Sequence, residues 1–310
     1  VKKEIIFKID NNTQPSDIIS KLDYSEYEKD IILTYTCGDF LKGELFTIIN
    51  AYIKLLEVEK IPFTFKLSDD NCDSINYIAR INFFKNINYD FKESFNRHDA
   101  SKTLLEITEF DSENMFEIVT KVAYILKNNF NIEENILNCI NYCLAEIIAN
   151  VDMHANSKTN SLIYAQAYKN KFIKLFIVDN GDGFYKSFDE NEEFLRLSEE
   201  DLLILSVNEG FKSSKGKGRG YGLFHTKEFV TATNGILSIN TCGKTLISNI
   251  NRTEVRNCPI WKGSIITLKI NINNKIDFSK VFTANGNYYK PLEYEEHIEF
   301  YDENGKSELW

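Results

Sequence analysis

The sequence predicts an α/β protein in which a small N-terminal α/β unit precedes a two-layer α/β sandwich with a mixed, mostly antiparallel sheet. Three observations predict it. Residues 1–92 alternate strand-like and helix-like segments, and residues 112–153 hold two runs at helical spacing. Residues 161–179 and 235–250 each read as two alternating segments joined by a polar turn. A chain of 310 residues also exceeds what one ordinary core needs.

Taken in order, residues 4–9 and 30–36 are strand candidates, 41–58 has helical periodicity, and 62–67 is again strand-like. Asp69-Asp70-Asn71 marks a turn, and 74–86 reads as one helix. Residues 93–111 form a connector, within which 102–110 has strand character. Helices follow over 112–128, with Ser112 as a candidate N-cap, and over 132–153. Residues 161–168 and 172–179 make a hairpin about Lys169-Asn170-Lys171. Beyond it lie a helix at 198–208, a Gly/Lys loop at 211–222 and a helix at 223–233. A second hairpin spans 235–250, and 263–272 is a last strand. The organisation is therefore 1–92, a connector at 93–111, a main domain at 112–275, and a tail at 276–310 with eight acidic residues against three Lys.

Composition narrows the function classes. Apolar content of 43% with 26% charged residues is that of a folded globular chain. No apolar run approaches a membrane span and the first residues lack a long apolar stretch, so the chain reads as cytoplasmic with no membrane partner. A net charge of −10, spread broadly, argues against a dedicated nucleic-acid binder. The one local basic concentration is Lys212, Lys215, Lys217 and Arg219. Six Cys form no metal-like pattern and read as buried thiols of a reducing compartment.

Three motifs carry chemistry. On the helix at 132–153, Glu146, Asn150 and His154 stand four apart and form one stripe beside the apolar arc. An Asn oxygen can ligate magnesium, and a neighbouring Glu can activate a water, although such a stripe alone also fits the border of a solvated face. In the second motif an apolar strand ends abruptly in Asp179-Asn180-Gly181-Asp182-Gly183. A carboxylate at the end of a buried strand needs a partner, for which an adenine amine would serve, with the two Gly allowing close approach. An ordinary Asn-Gly turn explains the same residues. The third motif, Lys215-Gly216-Lys217-Gly218-Arg219-Gly220-Tyr221-Gly222-Leu223, opens into a helix and suits a phosphate cradle, a hinge or an RNA contact.

Together and in this order, the motifs resemble the GHKL (Bergerat-fold) ATPase and kinase superfamily, which includes gyrase-type topoisomerases, histidine kinases and anti-sigma serine kinases. Glu146, Asn150 and His154 resemble its N box, Asp179 to Gly183 its G1 box, and Gly218 to Leu223 its G2 box. Gly263-Ser264 is similar to its closing Gly-Ser/Thr strand. The resemblance covers about half the chain and implies ATP and Mg2+ as cofactors. It implies that Asn150 holds the metal, Asp179 bonds the adenine amine, and Gly181 and Gly183 line the base. Gly218, Gly220 and Gly222 would wrap the phosphates, with Lys215, Arg219, Tyr221, Leu223, Ser264 and His154 nearby. Glu146 would be the activating carboxylate, and 184–215 the lid.

Among the superfamily's types, a sensor histidine kinase fits poorly, because only His98 lies upstream and little room remains for a dimerisation hairpin. A transducer domain does not fit into 276–310. The expectation is an ATP-dependent regulatory protein in a signalling, defence or partner-switching role, hydrolysing ATP or phosphorylating Ser/Thr of a protein partner. The N-terminal unit is vaguely similar to a STAS unit. The alternative is a non-catalytic module gated by nucleotide. Whether the chain forms a homodimer stays open.

Overall fold

The computed structural model describes residues 3–22, 30–36, 38, 42–68, 73–93, 95–97, 103–111, 113–169, 172–188, 194–211, 221–272, 276, 281, 283–284, 287–288, 300–301 and 307–308. The N-terminal unit is a three-stranded parallel sheet, β1 (Lys3–Lys8), β2 (Ile31–Thr36) and β3 (Phe63–Leu67), in that spatial order. Its helices are α1 (Pro15–Ile19), α2 (Gly43–Val58), α3 (Asp73–Arg80) and α4 (Phe83–Asn86). The single helix expected over 74–86 is thus two. Asn82 adopts the left-handed conformation (φ 64°), which an α-helix cannot carry, and it divides α3 from α4.

The larger unit is a seven-stranded sheet with spatial order β4-β5-β6-β10-β7-β8-β9. Its strands are β4 (Leu104–Phe110), β5 (Ser161–Tyr168), β6 (Phe172–Val178), β7 (Ile236–Thr241), β8 (Lys244–Ser248), β9 (Thr253–Asn257) and β10 (Ser264–Asn271). Every pairing among them is antiparallel. Both expected hairpins are present, β5–β6 and β7–β8, and β10 returns between them. The helices α5 (Met115–Asn129), α6 (Glu134–His154) and α8 (Gly222–Ala232) pack on one face of this sheet. A short helix, α7 (Glu199–Ser206), lies against β8 and β9 and carries a side-chain N-cap at Ser198.

Strand alternation shows why β6 reads as an almost continuous apolar run. Ile173, Leu175 and Ile177 point into the core shared with α5 and α6, while Phe176 and Val178 point the other way. That second face is covered as well. Leu162, Tyr164, Phe176, Val178 and Ile265 share a core with the N-terminal unit, whose α2 packs on β5 and β6. The helix-on-sheet sandwich is therefore backed by a third layer, with α2 held between the two sheets. Its apolar face meets the small sheet through contacts such as the edge-on pair Tyr35–Phe46. Among the described residues no helix is long and apolar enough to cross a membrane.

Candidate functional site

The register of β6 places Asp179, one step past the strand, on the face where α6 and α8 lie. Its backbone N–H still joins the ladder, donating to the Ser264 carbonyl oxygen (3.0 Å). The side chain is 2% exposed and closes a small ring: Oδ1 accepts from the Gly181 N–H (2.9 Å) and Oδ2 from the Ser264 N–H (3.1 Å). Burial raises this carboxyl from 3.8 to about 6, and the hydrogen bonds from Gly181 and Ser264 oppose only part of that rise. A carboxylate has acceptor capacity for about four hydrogen bonds, so the two N–H partners and the Ser264 side chain leave room for one donor from a ligand.

The neighbouring glycines are required by close approach. A Cβ on Gly181 would collide with the Ala155 carbonyl just past the end of α6, and one on Gly263 would collide with the backbone and carboxylate of Asp179. Gly183 has φ +78° and sits against Cys242, the Lys262 carbonyl and Thr241. Trp261, fully buried, donates its indole N–H to the Asp179 carbonyl oxygen (2.8 Å) and holds the turn from the other side. The Asp182 N–H donates to the Ala155 carbonyl (2.8 Å), which joins the loop after β6 to the end of α6.

On α6, Glu146 and Asn150 are both half-buried along the edge of the core. Glu146 meets the start of α8: a Cβ on Gly222 would collide with its carboxylate. The N-terminus of α8 has no side-chain cap and no acidic residue in its first turn, with Tyr221 at the N-cap position. Backbone N–H groups and the helix dipole make a helix N-terminus attractive to an anion, and at α8 the Glu146 carboxylate lies against it. It contrasts with α7, whose first turn holds Glu199, Glu200 and Asp201.

The structure thus sets Asp179, Gly181, Gly183 and Ser264 around the end of β6, and Glu146 against Gly222 at the start of α8, with Asn150 one turn along α6 from Glu146 and with Tyr221 and Leu223 flanking Gly222. Lys215, Gly218, Arg219 and Gly220 lie outside the described residues, as does the side chain of His154, although its backbone ends α6. Of the segment 184–215, the described part packs on β8 and β9 through α7, and the rings of Phe188, Phe194 and Phe211 pack on one another.

Two residues here escaped sequence reasoning. Trp261 precedes the closing strand in a loop without periodicity. His225, on α8, is 1% exposed; its Nδ1 pairs with the Tyr142 hydroxyl (3.0 Å) and its ring stacks on Tyr221. Burial lowers His225 from 6.5 to about 4, so it is neutral at pH 7. Its only signal in the sequence is its place one turn past Tyr221. Cys139 and Cys143 are free thiols buried in the core of α6, and burial pushes both well up. No family model matches the chain, and no curated protein matches it.

Proposed function

We propose that this chain binds ATP with magnesium at the end of the sheet bounded by α6, the loop after β6 and the N-terminus of α8. It would use the nucleotide in a regulatory role towards a protein partner, by hydrolysis or by phosphorylation of Ser/Thr. The observation that carries the reading is convergence on α6, which joins two groups of residues far apart in sequence: its end touches the loop of the buried carboxylate Asp179, and its Glu146 touches the first turn of α8, whose N-cap residue Tyr221 gives no side-chain cap. A buried carboxylate, the Glu/Asn edge of α6 and a helix N-terminus are the three kinds of group that a base amine, a metal and a phosphate chain respectively require.

In this reading Asp179 accepts from the adenine amine, and Gly181 and Gly183 line the base, their lack of a side chain letting the loop pack on Ala155 and on Cys242. Asn150 holds the magnesium, which supplies charge neutralisation to the phosphates when bound. The first-turn N–H groups of α8 face the phosphates, and Glu146 orients or deprotonates the attacking hydroxyl or water. The test is equilibrium titration with labelled ATP and magnesium, followed by product analysis with and without Glu146→Ala. Saturable binding is expected. ADP release abolished by Glu146→Ala identifies an ATPase, whereas binding without release directs the search to a protein substrate or to nucleotide-gated docking. Absence of binding at millimolar ATP overturns the proposal.

A further inference from the structure

The pleat of β6 sends consecutive side chains to opposite faces, and the alternation continues past its end. Asp179 faces the candidate site. Asn180 faces the N-terminal layer, where its Nδ2 donates to the Ala51 carbonyl oxygen of α2 (2.7 Å) and to Thr159 Oγ1 (3.0 Å). Two more polar tethers run from α2 and its C-cap to the same region. Lys158 pairs with Glu59 (2.7 Å), and Lys54 pairs with Glu109, which also accepts from Asn160 Nδ2 (2.8 Å). The loop at 155–160 is bound in turn to the loop at 179–182, through Asp182 N–H to the Ala155 carbonyl (2.8 Å) and Asn156 Nδ2 to Asp182 Oδ2 (3.0 Å). Both loops framing Asp179 are therefore held from behind by α2.

The face of α2 that meets the large sheet is unlike its other face. Helical spacing puts Gly43, Thr47, Asn50, Ala51 and Lys54 on one side, a small and polar set. Asn50 is fully buried, yet neither its Nδ2 nor its Oδ1 has a hydrogen-bond partner among the described residues. A buried amide without partners is unfavourable. Alongside the apolar contacts of β5 and β6 with the N-terminal layer, the Asn180–Ala51 bond is a direct polar link from α2 to the loop that carries Asp179.

We infer that Asn180 is a positioning residue, through which α2 of the N-terminal layer sets the geometry of the Asp179 carboxylate and the Gly181 N–H. What α2 regulates by this route, selection of a base with an exocyclic amine, rests on the ATP reading; the positioning itself does not. The test uses the full chain. Amide hydrogen exchange is measured first without nucleotide in the wild type, Asn180→Ser and Lys54→Met. The expected result is exchange about tenfold faster at Gly181, Asp182 and Ser264 in Asn180→Ser, and several-fold faster in Lys54→Met, with α5 and α8 unchanged. Should Asn180→Ser fail to fold, Lys54→Met decides alone. Unchanged exchange at these three amides, or a rise of equal size throughout the chain, overturns the inference.

The second arm compares ATP with inosine triphosphate, which carries an oxo group in place of the amine. Asn180→Ser is expected to reduce the preference for ATP about tenfold with affinity for inosine triphosphate unchanged. Equal loss for both nucleotides overturns the regulatory half. If the wild type binds neither, the ATP reading fails while the exchange arm still decides the positioning.

Discussion

Asp179 and His225 should give this protein two opposed pH dependences of stability that conceal each other. The carboxyl of Asp179 rises from 3.8 to about 6 on folding, so between those values the folded chain holds a proton that the unfolded chain has released. Its contribution is fully present below pH 3.8 and is lost as pH rises through about 6, a change of about 3 kcal/mol. His225 falls from 6.5 to about 4, so there the unfolded chain holds the extra proton. Its contribution is present above pH 6.5 and is lost as pH falls through about 4, again a change of about 3 kcal/mol. The perturbation is His225→Gln, which keeps a polar group beside the Tyr142 hydroxyl and removes the titration. Urea unfolding followed by tryptophan fluorescence, at several pH values between about 4 and 7, gives stability relative to wild type. That relative stability should rise by about 3 kcal/mol as pH falls from about 6.5 to about 4. Parallel curves for variant and wild type over this window would refute the reasoning, because the buried imidazole would then titrate alike in both states.

Two further outcomes follow from packing. Gly263→Ala places a methyl group against the backbone and carboxylate of Asp179, and should cost about 1–3 kcal/mol in chemical unfolding together with loss of ATP binding. Lys174→Met strips the partner from Glu44, whose side chain is 3% exposed, and should destabilise by about 3 kcal/mol; Glu44→Gln added to it should restore most of that, as a double-mutant cycle will read.

Much of the candidate site was legible because helical and strand periods are local. The stripe of Glu146 and Asn150 needs only the spacing of α6, and the end of β6 at Asp179 needs only the break in its apolar run. What was not legible depends on long-range packing. β9 (Thr-Glu-Val-Arg-Asn) is a polar edge strand that buries no face fully, so it leaves no alternation to read. Helical periodicity over 41–58 does not show that the polar residues Glu44, Thr47 and Asn50 of α2 lie buried, with Glu44 paired to Lys174 of the larger sheet. The role of Asn180 appears only once the register sets it back to back with Asp179 across the pleat. The path of the Gly/Lys run at 212–220 lies outside the described residues, so its place at the site rests on the position of Tyr221 and Gly222 alone.

The central claim is that ATP and magnesium occupy the end of the sheet beside Asp179. The most direct measurement is a backbone-amide NMR titration of the full chain with ATP and magnesium. The account predicts saturable shifts concentrated at Gly181, Gly183, Gly222, Leu223 and Ser264, absent in Asp179→Asn, with β1 and β3 unaffected. Shifts that cluster elsewhere, or that persist unchanged in Asp179→Asn, would contradict it.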